Sequence, residues 1–258
     1  MKINDLITYN HVEEIQQTLD SMKDPYDKSI ISILATCKDF DTFYKFYDNF
    51  LKTCSDFSLI EILIKMESGA EADKVSYFLY NNNIKYKIII YSHYTPRHSF
   101  HHYYNDLYSI SSGDLIFGVA MDLVSVHGDW LKSFIDINNR MKSKYPDGIY
   151  SFSIPMDNGL KGKHIAAGQI VTRKWVDVLG FYSPFPNMDR WLYRLSIAIN
   201  RYEVVDEKEA LFHYPPGSRT FCKKDKKYLF APTLDHAVEI FKKQINIYRR
   251  IKICLNVN

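Results

Sequence analysis

The chain has 258 residues, and its 33 Lys and Arg against 30 Asp and Glu give a formal charge of +3. That near balance disfavours a protein that grips nucleic acid through backbone phosphates, which shows a basic excess or stripe. A composition of 46% hydrophobic and 24% charged residues excludes a disordered chain. The length suits one α/β domain, since ~150 residues is typical of a domain and ~250 is common in α/β folds.

In chain order, residues 10–22 are expected to form a helix: Asn10 caps, Glu13 completes a capping box, and Val12, Ile15, Leu19 and Met22 recur at helical spacing. Ser29 to Thr36 is an apolar, β-branched run and reads as a strand buried on both faces. Phe40 to Thr53 is amphipathic and helical, Leu59 to Met66 is a second buried strand, Glu71 to Asn81 is helical and Tyr86 to Ser92 is a third strand. Phe100 to Ile110 reads as a helix, and the run DLIFGVAMD as a fourth strand ending on Asp122. From Tyr145 shorter elements and loops follow, then a helix from Asp189 to Arg201, a strand and loop through EVVDEKEALFHYPPGSRT, and a long basic amphipathic helix from Thr233 to Lys252.

This alternation predicts an α/β fold, an open, mostly parallel sheet with helices on both faces and helices at both termini, whose ligands bind outside the carboxyl ends of the strands. The turn after the first strand is Thr36-Cys37-Lys38-Asp39, not a Gly-rich loop, so neither a dinucleotide fingerprint nor a P-loop is present there. Any nucleotide must be held by side chains at strand ends. Cys37, Cys54, Cys222 and Cys254 lack C-x-x-C spacing, which excludes a zinc knuckle or redox pair and fits reduced thiols. No apolar run reaches the ~20 residues of a membrane span and no signal-peptide core opens the chain, so a cytoplasmic location is expected, in a host cell if the source is viral. The 20 Tyr and 16 Phe against 3 Trp reflect coding bias plus core, or a ring-stacking surface. His98, His101 and His102 have no companion ligand at metal spacing, and a helix would splay them.

The ordered segments SIISILAT, LIEILIKMESG and NDLYSISSGDLIFGVAMD, followed by YPDGIY, MDNG and RKWVDVLGFYSPFPNMDRWL, resemble GT-A fold glycosyltransferases of the family 2 type, over residues 29 to 230. Similar transferases occur widely in viruses and bacteria. The resemblance implies a GT-A-like, Rossmann-like single domain over 1–258, with a nucleotide-sugar-binding half at 29–125, an acceptor and catalytic half at 145–230 and a C-terminal helix at 233–253. It implies transfer of a sugar from a UDP- or GDP-sugar to a hydroxyl acceptor in glycan biosynthesis, with Mn²⁺ or Mg²⁺ as cofactor and inversion at the anomeric carbon. A homo-oligomer is compatible with it, and no nucleic-acid partner is implied.

Residue by residue, the resemblance makes Asp122 a metal ligand, since a hard cation bridging two phosphates needs carboxylate oxygen at a strand's carboxyl end. The family has two acids there, whereas this chain has Ala120-Met121-Asp122; Asp122 could equally cap the following turn. His213 is the second expected ligand, in a Pro-Gly loop segment where a histidine is otherwise ordinary, and imidazole suits Mn²⁺ better than Mg²⁺. Asp189 is the expected base, at a position that also suits a helix N-cap. Thr36, Asp39 and Glu67 would hold the nucleoside, with Asn105 at a matching family position and Arg97 near the phosphates or simply solvated. Tyr182, Phe185 and Trp191 flank Asp189 and would face an acceptor sugar, unless they are core. The departure at Ala120-Met121 leaves a second reading open: a catalytically impaired module of the same fold that binds glycan or serves a structural role.

Overall fold

The structure is a computed structural model that describes residues 30–90, 100–157, 168–184, 188–206, 211–213, 236–243 and 245–246. The expected helix at 10–22, Arg97, Phe185 and most of the C-terminal helix lie outside the described residues.

Strand β1 (Ile31–Thr36) is followed by helix α1 (Phe40–Asn49), β2 (Ile60–Met66), α2 (Gly69–Asn81), β3 (Lys85–Ile90), α3 (Phe100–Ser109) and β4 (Leu115–Val119). Then come β5 (Val124–His127), α4 (Trp130–Lys144), β6 (Ser151–Ser153), β7 (Met156–Asp157) and β8 (Gln169–Thr172). Helices α5 (Arg173–Leu179) and α6 (Met188–Ala198) and strands β9 (Tyr202–Val204) and β10 (Leu211–His213) follow. Residues 236–243 are helical, in keeping with the pattern read from Thr233 onward.

The helices start where the sequence supplies caps. Asp39 Oδ1 accepts the Thr42 N–H at 2.9 Å before α1, Ser68 Oγ accepts from Glu71 before α2, and Asp129 accepts from Lys132 before α4. Gly180, at φ 81°, ends α5 in the left-handed conformation that glycine adopts freely. One strand end departs from expectation. β4 stops at Val119, so Asp122 lies in the turn beyond it, whose Leu123 N–H bonds back to the Ala120 carbonyl.

Seven strands form the central sheet in the order β3-β2-β1-β4-β8-β6-β9. The first four are mutually parallel, β8 runs antiparallel to both β4 and β6, and β9 is parallel to β6. One sheet thus takes strands from both halves of the chain. Two apolar cores lie on its two faces. One contains α1, α2 and α4 with Phe43, Phe46, Phe50, Phe117, Phe134, Phe152, Phe212 and Trp130; the other contains α3, α5 and α6 with Tyr104, Trp175, Tyr182 and Leu195. Phe50 stacks on Trp130 at 4.7 Å and meets Phe212 edge-on at 5.4 Å. At about 1.5–3 kcal/mol per fully buried large apolar side chain, this ring cluster holds the sheet to its helices and accounts for much of the aromatic content.

Strand order also locates the place where ligands bind. From β1 the chain steps outward to β2 and β3, then returns through α3 to β4 on the other side of β1. The loops after β1 and β4 therefore diverge, and the crevice between them opens at the carboxyl ends of parallel strands. A second sheet, β5-β10-β7, continues from β4 beyond the Asp122 turn. Among the described residues, no helix is long and apolar enough to cross a membrane.

Candidate active site

The crevice is bounded by Thr36 at the end of β1, by Asp39 in the following loop, by Glu67 just past β2 and by Asp122 just past β4. Asp39 is occupied as the α1 cap, and its bonds to the Thr42 hydroxyl and N–H hold its carboxyl below the usual carboxylate range. Glu67 is exposed and accepts from the buried Lys65 Nζ at 3.0 Å; that ammonium also lies 4.2 Å from the centroid of the Tyr103 ring.

Beyond Phe117 the ladder between β4 and β8 ends, and the two strands part. The Gly118 N–H turns to the Tyr182 hydroxyl at 3.0 Å. A Cβ on Gly118 would stand 2.6 Å from that oxygen, so only glycine fits there. The parting leaves a cavity of about 130 Å³ between β4, the start of β8 and α6, whose walls include Tyr104, Gly118, Gln169, Tyr182 and Asp189. Gly168, at φ 84°, makes the turn that leads β8 along this wall.

Tyr104 lies at the meeting point of the predicted groups. Its hydroxyl donates to the Val119 carbonyl at 2.7 Å. Burial drives its pKa up, the hydrogen bond from the Thr36 side chain opposes that, and the charges of Asp122 and Asp189 raise it further. The phenol therefore stays protonated, and one hydroxyl feels the end of β1, the β4 turn and α6 together. Tyr182 is 1% exposed and stacks on Tyr104 with ring centroids 6.2 Å apart. Burial raises its pKa as well.

The predicted residues thus divide. Thr36 bonds to Tyr104; Asp189 and Tyr182 line one cavity with it, and the Asp122 charge is felt at the same hydroxyl. Tyr182 and Trp191 are both buried, so the structure corrects their expected role as an open stacking face to one in the wall and core. Asn105 is likewise taken up internally. Its Oδ1 accepts from Tyr182 N at 2.7 Å and Ser183 N at 3.2 Å, and its Nδ2 donates to the Ser183 carbonyl at 2.9 Å. These bonds hold the loop between α5 and α6. His213 lies at the end of β10, opposite Val124 of β5, two residues beyond Asp122. On its other side it pairs in register with Asp157 of β7.

A divalent cation fits what is present at the β4 turn. Asp122 Oδ1 is buried without a hydrogen-bond partner among the described residues, a costly state for a carboxylate oxygen unless an ion takes it up. Asp122 would supply a hard carboxylate ligand of the kind Mn²⁺ and Mg²⁺ accept, the rest coming from phosphate, water and other side chains. Among the described residues no cluster of three ligating side chains is present. His102 is exposed on α3.

No motif in the sequence marks Tyr104, Gly118, Gly168 or Gln169 as part of this cavity. A glutamine opening the apolar run QIVT was the one signal available, because a polar side chain in a buried strand needs a partner.

No protein-family model and no curated protein matches this sequence. Solved structures do match in fold. The mannosyltransferase PcManGT from Pyrobaculum calidifontis, in complex with GDP-Man and Mn²⁺, superposes with a TM-score of 0.55 at 10% identity, covering 81% of this chain and 65% of its own. S. aureus TarS 1–349 in complex with UDP-GlcNAc gives 0.51 at 10% identity over 83% of this chain and 65% of its own, and its complex with UDP gives 0.53 at 11% identity over 71% and 59%. This chain spans 36% of the longer TarS structure. The chain has the GT-A-like fold of these proteins, with a mostly parallel central sheet between helices.

Proposed function

We propose that this protein is an inverting, metal-dependent glycosyltransferase of the family 2 type that moves a sugar from a UDP- or GDP-sugar to a hydroxyl acceptor. The observation that supports this most is a carboxylate on either side of the β4 end: Asp189 of α6 lines the cavity together with Val119 and Ala120, and Asp122, two residues past Ala120, has a buried unpartnered oxygen. Neighbours of the same fold hold GDP-Man with Mn²⁺ and UDP-GlcNAc.

In this mechanism the donor's nucleoside lies over Thr36, Asp39 and Glu67, with Arg97 toward the phosphates. Asp122 and His213 would hold Mn²⁺ or Mg²⁺, which when bound neutralises the departing diphosphate. The acceptor oxygen forms a bond to the anomeric carbon as the bond from that carbon to the phosphate oxygen breaks. The nucleoside diphosphate leaves with the bonding electron pair, and the acceptor's proton passes to the Asp189 carboxylate. Tyr104 and Tyr182, both protonated, keep the Asp189 wall dry and fixed. The buried site raises the value of each charge in it.

The test is Asp189→Asn. Transfer is expected to fall by about 10²–10⁴, the range for loss of a general base, while calorimetric affinity for the nucleotide sugar stays unchanged. Full activity in the variant contradicts the role. One observation favours a second reading: Ala120 stands where the family has an acid, and an impaired glycan-binding or structural module would result. If UDP-, GDP- and dTDP-sugars with Mn²⁺ give neither a thermal shift nor donor hydrolysis, that second reading holds.

A further inference from the structure

One residue of the cavity wall carries an amide of fixed orientation. Gln169 opens β8 and is 2% exposed. Its Nε2 donates to Ser151 Oγ at 2.9 Å and to Ser196 Oγ. The serines dictate which end of the amide faces them, because each hydroxyl has one proton to give. Ser196 gives its proton to the Leu192 carbonyl at 2.6 Å, and Ser151 gives its own to Ser196 Oγ at 2.7 Å. Both oxygens therefore meet Gln169 as acceptors, and only the amide nitrogen can satisfy them.

Oε1 is thus held on the other side of the amide. It is buried and has no hydrogen-bond partner among the described residues. A buried acceptor left unpaired is costly, and the surrounding network prevents the amide from flipping to relieve it. The same side chain lines the cavity with Asp189, whose ionised carboxylate is also acceptor-only. A site so furnished selects a ligand that brings donors, and a polyhydroxylated ring does so.

We propose that Gln169 Oε1 accepts a hydrogen bond from a ring hydroxyl of the transferred sugar and so determines which sugar the site takes. This rests on the donor reading above. The cavity lies between the carboxyl end of β4, where the Asp122 turn begins, and Asp189. In an in-line displacement the transferred ring occupies the space between the departing diphosphate and the base. A sugar whose hydroxyl is absent or epimeric at the matching position leaves Oε1 unpaired, which a site built to bond a hydroxyl rejects strongly.

The test compares calorimetric affinities of UDP, GDP and a panel of UDP- and GDP-hexoses for the wild type, Gln169→Met and Gln169→Glu, with Mn²⁺ present. The affinity gained by adding the preferred sugar to the bare nucleotide is expected to fall about tenfold in Gln169→Met, with bare-nucleotide affinity unchanged, and to persist in Gln169→Glu, which keeps an acceptor. If Gln169→Met fails to give a native melting transition, Ser196→Ala, which unlocks the amide, carries the test and is expected to lower the same gain. A sugar-dependent gain that is unaltered in the folded variant overturns this proposal alone. A wild type that binds neither nucleotide nor nucleotide sugar overturns the donor reading and this proposal with it.

Discussion

At the scale of single residues, the site depends on close approaches that leave little latitude. Adding a methyl group at Gly118 drives it against the Tyr182 hydroxyl, so Gly118→Ala is expected to destabilise the fold by about 1–3 kcal/mol, the usual cost of overpacking, read as a lower melting temperature. Tyr104→Phe removes a bond to the Val119 carbonyl and is expected to cost about 0.5–1.5 kcal/mol in denaturant unfolding. The buried thiols make a pH prediction. Burial pushes Cys37 and Cys54 up from 9.0 to about 12. Between those values the unfolded thiols have lost protons that the folded ones keep, so stability is full below pH 9 and declines as the pH rises toward about 12. Melting curves from pH 8 to 11 check the sign, and alkylation of both thiols in native protein at pH 8.5 should be far slower than in unfolded protein. At this scale the hydrophobic pattern marks the neighbourhood of the two carboxylates: Asp122 lies in the turn past β4 and Asp189 in the first turn of α6. Tyr104 and Gln169 were not legible, because their roles follow from how helix α3 and strand β8 meet the end of β4, a long-range geometry that no local pattern encodes.

At the scale of elements, the parallel strands and their helices followed directly from apolar runs, periodicity and caps, with ends within a few residues of expectation. The shift of Asp122 out of β4 into a turn has a physical cause: after Val119 the chain leaves the central sheet, and β5 begins a second sheet with β10 and β7. Short antiparallel strands such as β7 and β10 carry too few residues to show a period, and their pairing is set by distant segments. The junction that delivers α3 into β4 is fastened by a buried carboxylate. Glu61 Oε1 accepts from Ser32 Oγ at 2.5 Å, from Gly113 N at 3.1 Å and from Ser112 N, with Lys87 Nζ 3.9 Å from Oε2. Glu61→Ala would strand the Ser112 N–H and remove the charge facing the Lys87 ammonium, while Gly113 N–H keeps Ser32 Oγ at 2.8 Å and Lys87 Nζ keeps the Ile110 carbonyl at 2.6 Å. It is expected to cost about 3–5 kcal/mol, the penalty for breaking one side of a buried ion pair, measured by chemical unfolding.

At the scale of the whole molecule, the near balance of 33 basic against 30 acidic residues takes on a specific sense under the proposed function. A protein that handles one diphosphate through a cation and a few side chains needs no basic surface. Fold is carried across very low identity, 10% against PcManGT, because the parallel order of β1 to β4 and the crevice it creates depend on patterning, not on particular residues. Chemistry is not carried in that way; on the proposed function it rests on Asp122, His213, Asp189 and the cavity that Asp189 lines. The most direct test is a crystal structure of the protein soaked with UDP or GDP and Mn²⁺, with anomalous scattering locating the metal. The account predicts Mn²⁺ coordinated by Asp122 and His213, with the diphosphate over the β1/β4 crevice and the cavity beside Asp189 left for the sugar. Nucleotide bound elsewhere, or Mn²⁺ absent from Asp122, would contradict it.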